Sequence, residues 1–92
     1  MTAGRGVSLS VVLPCRNQGD YIAGVLERYF APLDGTGVSW EMVVVPTACA
    51  DATPEAARQV AGLRSEVRVV ENPAGGWGRS VLMGLEAAAG AI

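Results

Sequence analysis

The chain contains no histidine and no lysine, and its positive charge rests on seven arginines. Without histidine it lacks the commonest general base near neutral pH and the commonest metal ligand. The net charge is −2 and the arginines form no run or patch, which argues against a nucleic-acid partner. Aromatic residues make up only 5%, so the core must be built from Val, Leu, Ile and Ala. No apolar stretch approaches the ~18 residues of a membrane span. No charged start followed by an apolar core marks a secretory leader. The two cysteines, Cys15 and Cys49, have no metal-ligand spacing; each follows an expected strand, so they fall near each other and read as reduced cytosolic thiols. The location these features imply is the cytoplasm, with the inner face of a membrane reachable only through segments outside this sequence.

What is present is a small globular composition. Half of the 92 residues are apolar, enough for one domain. A chain of this length buries only about 60–65% of its unfolded surface, so the core is modest.

Residues 1–7 read as a flexible lead-in, with Met1 to Gly6 polar and frayed. Ser8 to Leu13 is an apolar run stopped by Pro14 and reads as a strand buried on both faces. Asp20 caps an expected helix over Tyr21 to Phe30, with Ile22, Val25, Leu26 and Tyr29 on its buried face; Pro32 and Gly35 end it. Trp40 to Val45 is the second strand. Thr53-Pro54-Glu55 opens a second helix with a hydroxyl cap, running to about Ala61, with Gly62 suited to the position after its end. Val67 to Glu71 is the third strand. A glycine-rich turn, Asn72 to Gly78, leads to a helix from about Arg79 to Ala89, with Val81, Leu85 and Ala88 as its buried stripe and Leu82 and Ala89 flanking it.

This β-α-β-α-β-α order predicts an α/β fold: a Rossmann-like, three-stranded parallel sheet in order 3-2-1 with flanking helices. That order leaves the first strand at an edge, although its sequence is as apolar as a central strand's. The chain stops at Gly90-Ala91-Ile92, where the spacing calls for another strand. The expectation is a partial domain over 8–92, a piece of a longer protein; a partner covering the edge is the alternative.

Three motifs carry a family resemblance. Ser10 to Ile22, "SVVLPCRNQGDYI", resembles the opening of family-2 glycosyltransferases: a strand, a turn with Pro and Asn, an acid and a helix. Glu41 to Thr53, "EMVVVPTACADAT", resembles that family's second strand and its acidic loop. Asn72 to Gly90, "NPAGGWGRSVLMGLEAAAG", resembles its glycine turn and the following helix. The resemblance implies the N-terminal, nucleotide-binding half of a GT-A fold. It implies a nucleotide-sugar donor, UDP- or GDP-linked, and an acceptor hydroxyl on a glycan, a lipid-linked molecule or a small molecule. The divalent Mg or Mn ion, its Asp-x-Asp motif and the catalytic base would lie beyond Ile92, so these residues alone are expected to be inactive.

The resemblance places donor-binding candidates at strand ends, the ligand edge of a parallel sheet. Pro14, Arg16 and Asn17 follow the first strand. Arg16 stands where many members have Tyr, and a guanidinium can stack on a base or pair with phosphate; the plain alternative is a solvated turn. Pro46 and Thr47 stand where the family has acids that hold the base. Proline offers neither donor nor side-chain acceptor, and Thr47 only a hydroxyl, so that contact is altered or lost. Asp51 matches the acid late in the loop, as a ligand or as a cap and tie for the second helix. Gly76 and Gly78 belong to a turn whose backbone can face an anion. Trp77 stands there in place of the family's Lys or Arg, with Arg79 two residues on. Two other functions stay open: a non-catalytic Rossmann-like module holding a nucleotide or anion, and a degenerate structural domain that pairs through its sheet edge.

Overall fold

The computed structural model describes residues 7–88. Residues 1–6 of the lead-in and residues 89–92, including Ala89 and the expected start of a further strand, lie outside the described residues.

The element order is β1 (Leu9–Cys15), α1 (Ile22–Asp34), β2 (Trp40–Pro46), α2 (Thr53–Leu63), β3 (Val67–Val69) and α3 (Trp77–Ala87). The three strands are parallel, in spatial order β1-β2-β3, as the alternating pattern predicts. Every residue of β2 is buried, because β1 and β3 cover its edges and helices cover both its faces.

The two faces differ in kind. Trp40, Met42 and Val44 point from β2 into an apolar core with Ile22, Leu26 and Leu33 of α1 and Ala57 and Val60 of α2. The odd-numbered side of β2 lies under α3. There Glu41 is buried but paired, accepting from Ser10 Oγ at 2.7 Å and from Arg68 at 3.3 Å. Gly84 lets α3 approach closely: a Cβ there would sit 2.2 Å from Val12 Cγ1 of β1.

An arginine clamp closes the amino-terminal end of the sheet. The Arg64 guanidinium lies 4.6 Å from the Phe30 ring centre and 5.4 Å from that of Trp40. It donates to both oxygens of Asp34, at 2.8 and 2.7 Å, and to Glu66 at 3.2 Å. Its hydrogen bonds, with one from Trp40 Nε1, hold the Asp34 carboxyl below the usual carboxylate range.

Several element boundaries depart from the sequence reading. Helix α1 continues through Pro32 to Asp34, because Pro32 sits on the exposed side, where water can serve the carbonyl it leaves unpaired. Its buried stripe is Ile22, Leu26 and Leu33; Val25 is only half-buried and Tyr29 is exposed. Asp20 makes no cap, and Tyr21 and Ile22 N–H donate instead to the Gln18 carbonyl. Helix α2 runs past Gly62 to Leu63.

Strand β3 is shorter than expected for a physical reason. The ladder alternates, so Met42 donates to Glu66 and Val44 accepts from Val70, and the next donor due from β2 is residue 46. That residue is Pro46, which has none, and regular pairing stops. It resumes where Pro46 accepts from Asn72 N–H at 2.8 Å, with an isolated bridge between Thr47 and Asn72.

Helix α3 begins two residues early, and its buried side is not the apolar stripe. Ser80 and Gly84 face the sheet, while Val81, Leu82 and Leu85 are exposed and Ala88 is half-buried beyond the helix end. The reason is the close approach at Gly84: the smallest residues go inward, and the large ones are turned to the flank.

Candidate functional site

Three loops meet at the carboxyl end of the sheet, and their polar side chains are used mainly to tie them together. After β1 the chain turns through Asn17, whose φ of 51° lies in the left-handed region that asparagine tolerates. Asn17 Oδ1 accepts from Ala50 N–H at 2.8 Å, and its own N–H donates to Cys49 Sγ at 3.4 Å. Gln18 N–H donates to Thr53 Oγ1 at 2.7 Å.

Asp51 is the centre of this tie. One oxygen accepts from Gly19 N–H at 2.9 Å, and the other from Thr53 N–H at 3.0 Å and from the Thr53 hydroxyl. The Thr53 hydroxyl and then the Gly19 amide hold the Asp51 carboxyl below the usual range. Thr53, expected as the cap of α2, is instead its first residue, and Asp51 serves its N–H from outside the helix.

A second tie joins the ends of β2 and β3 to α3. Asn72 Nδ2 donates to Ser80 Oγ at 2.9 Å, Ser80 Oγ and Thr47 Oγ1 are 2.6 Å apart, and Thr47 donates to the Val45 carbonyl at 2.9 Å. The hydroxyls orient in one direction, Asn72 to Ser80 to Thr47 to Val45, which satisfies each donor. Thr47, Asn72 and Ser80 are all buried. Asn72 also donates to the Gly75 carbonyl at 3.0 Å, fixing the glycine turn.

That turn needs its glycines. Gly75 and Gly76 have φ of 90° and 95°, and a Cβ on Gly75 would lie 3.1 Å from Ala48 Cβ. Ala48 itself is left-handed, with φ 47°, held there by its N–H bond to the Asn72 carbonyl at 2.8 Å. The loops after all three strands are therefore in direct contact.

The positions named from sequence sort into three kinds. Asn17 and Asp51 are exposed, but their hydrogen-bonding atoms serve the scaffold. Thr47 is buried, its hydroxyl taken by Ser80 and Val45, and Pro14 is half-buried within β1. Arg16, Gly76 and Gly78 are exposed at the rim, and Arg16 and Arg79 enter no ion pair among the described residues. Sequence reasoning missed Ser80 and Thr53 as ties. The available signal was the pair of small residues Ser80 and Gly84, one helical turn apart, since the apolar pattern itself placed Val81, Leu85 and Ala88 inward.

Both thiols are free. Burial, with smaller contributions from Cys49 and Asp51, pushes the Cys15 thiol up to about 11. Among the described residues no group of three or more His, Cys, Asp or Glu is placed to hold a metal ion. A depression of about 300 Å³ runs along α1, lined by Asp20, Tyr21, Gly24, Val25 and Arg28, apart from the three-loop rim.

The family profile described as Glycosyl transferase family 2 matches residues 10–92, nearly the whole chain. The chain belongs to glycosyl transferase family 2. A search of curated proteins finds no match. The family's chemistry is glycosyl transfer, generally from nucleotide-sugar donors with a divalent metal, and the sheet and helices match the N-terminal half of its GT-A fold. No described helix is long and apolar enough to cross a membrane.

Proposed function

We propose that these residues form the donor-side half of a glycosyltransferase that takes a nucleotide-sugar, UDP- or GDP-linked, and passes the sugar to an acceptor hydroxyl. The observation that carries this reading is the junction of three loops at the carboxyl end of a parallel sheet, within a family 2 match covering residues 10–92. In this reading Arg16 stacks on the base or pairs with the diphosphate, and the turn at Gly76 and Gly78 offers main-chain N–H groups to it. Asn17, Asp51 and Thr47 act indirectly, by holding the loops in place.

Thr47 is the chief departure. An acid at this position would read the base, whereas the Thr47 hydroxyl is committed to Ser80 and Val45. Base recognition then falls to the exposed rim and to the backbone. The divalent metal does not fit here, because both oxygens of Asp51 are already bonded to Gly19 and Thr53. Its carboxylates and the base that deprotonates the acceptor belong to polypeptide outside these residues, in the cytoplasm or at the inner membrane face. The chain by itself should turn over no donor.

A non-catalytic module that holds a nucleotide or another anion is the second reading, favoured by the commitment of Thr47 and by Trp77, which is 54% exposed beside the glycine turn. Calorimetry with UDP, GDP and their sugars, with and without Mn²⁺, tests the donor reading. Saturable binding to one nucleotide that weakens in Arg16→Ala supports it. Absence of binding by a demonstrably folded sample counts against it. Equal binding of unrelated anions, without preference for a nucleoside, favours the module.

A further inference from the structure

Helix α1 turns a charged face away from the sheet. Gly24 lies about 160–180° round the helix from Ile22, Leu26 and Leu33, the residues α1 buries. It therefore stands on the outermost line of α1, across the sheet from α3. The depression of about 300 Å³ lies over it, bordered by Asp20, Tyr21, Val25 and Arg28. A Cβ on Gly24 would meet no atom within 4 Å, so the fold itself does not call for glycine here, and glycine weakens a helix relative to alanine.

The charges on this face are placed symmetrically about Gly24 with opposite signs. Arg28 follows it by one helical turn, and Asp20 precedes it by the same four residues, in the turn that leads into α1. Both are exposed, and neither enters an ion pair among the described residues. Tyr21, which is 72% exposed, and half-buried Val25 form the apolar flank of the depression.

Such a pattern is its own complement: turned end for end about Gly24, it sets acid against base at both ends. We propose that a second copy of this chain docks here, the two α1 helices crossing antiparallel at Gly24 about a two-fold axis. Asp20 of each copy then meets Arg28 of the other, and Gly24 faces Gly24. The missing side chains let the helix axes approach to the lower end of the 8–10 Å range for packed helices. Each guanidinium also reaches the Tyr21 ring of the opposite copy, a stacked contact that leaves its edge for the carboxylate. A parallel pairing would oppose acid to acid and base to base, so the charges select the antiparallel one. Glu27, a further charge near the crossing, stands about 4.5 Å along the helix from Gly24. Its two copies are thus about 9 Å apart, beyond the screening length of about 8 Å at physiological salt. The contact is one helix wide, which puts it among weak, reversible associations.

Sedimentation of the 92-residue chain from about 10 µM to about 1 mM, at low and at high salt, tests the proposal. The expected result is a monomer–dimer equilibrium whose dissociation constant rises about threefold or more between about 0.05 M and about 0.5 M salt. Asp20→Arg and Arg28→Asp alter exposed side chains, so each variant should keep its circular dichroism. Each alone opposes like charges at the crossing and should be monomeric throughout. Mixed in equal amounts, the two should associate with each other, because both ends of the crossing then pair acid with base. The double variant should dimerise as the wild type does. A wild type that is monomeric over the whole range would overturn the proposal. So would a dimer that both single variants retain, which would put the contact on another surface, or single variants that stay monomeric when mixed.

Discussion

Asp51 shows how little of a site's polar content needs to face a ligand. Its two oxygens serve the Gly19 amide, the Thr53 amide and the Thr53 hydroxyl, and so lock the loop after β1 to the start of α2. Because its folded pKa is lowered, the stability it contributes is present above the unfolded carboxylate value, about 3.9, and is lost as pH falls through the lower folded value. The Gly19 and Thr53 amides should therefore lose exchange protection below about pH 4. In Asp51→Ala they should already be unprotected at neutral pH. Unchanged protection in the variant would show that the tie contributes nothing. Cys15 and Cys49 provide a second residue-scale contrast. The Cys15 thiol, at about 11, should resist alkylation at pH 8 while half-buried Cys49 reacts. Peptide mass analysis of partly labelled protein would read the order, and Cys15 labelling first would contradict the burial assigned to it. The sequence marked Asp51 and Thr47 as site positions, but it left open whether Asp51 binds a ligand or ties a loop. That distinction depends on where Gly19 and Thr53 fall in space, 32 residues away and two residues away respectively.

At the scale of the elements, the alternating pattern was sufficient for the strands, their order and the three helices. Each carries its own period and its own stop signals. Two departures have one origin, backbone contact between elements distant in sequence. Strand β3 ends early because Pro46, on a neighbouring strand, withholds a donor. Helix α3 turns its large apolar residues outward because Gly84 and Ser80 permit close approach to Val12 and the end of β2. A hydrophobic period identifies an amphipathic helix, but it cannot rank a glycine face above a leucine face. Gly84→Ala tests this packing. With its new Cβ 2.2 Å from Val12 Cγ1, it should destabilise the fold by about 1–3 kcal/mol despite the better helix propensity of alanine. Urea unfolding measures this, and a neutral or stabilising result would mean that α3 stands further from the sheet.

For the whole molecule, the fold and the family were legible because both depend on ordered motifs spread from Ser10 onward, and the family match covers residues 10–92. What the motifs could not convey is that Thr47, in the position of an acid, is buried against Ser80 rather than open to a base. In the proposed reading the donor would meet a rigid junction of loops and be recognised at its rim, by Arg16, the glycine turn and Trp77. The most direct test of that claim is to map amide chemical-shift changes in the folded chain as UDP, GDP and their sugars are added with Mn²⁺. Changes confined to Arg16 to Gly19, Ala48 to Asp51 and Gly75 to Arg79 are the predicted result. Saturable changes centred elsewhere, such as the α1 depression at Tyr21 and Arg28, or none at all, would contradict it.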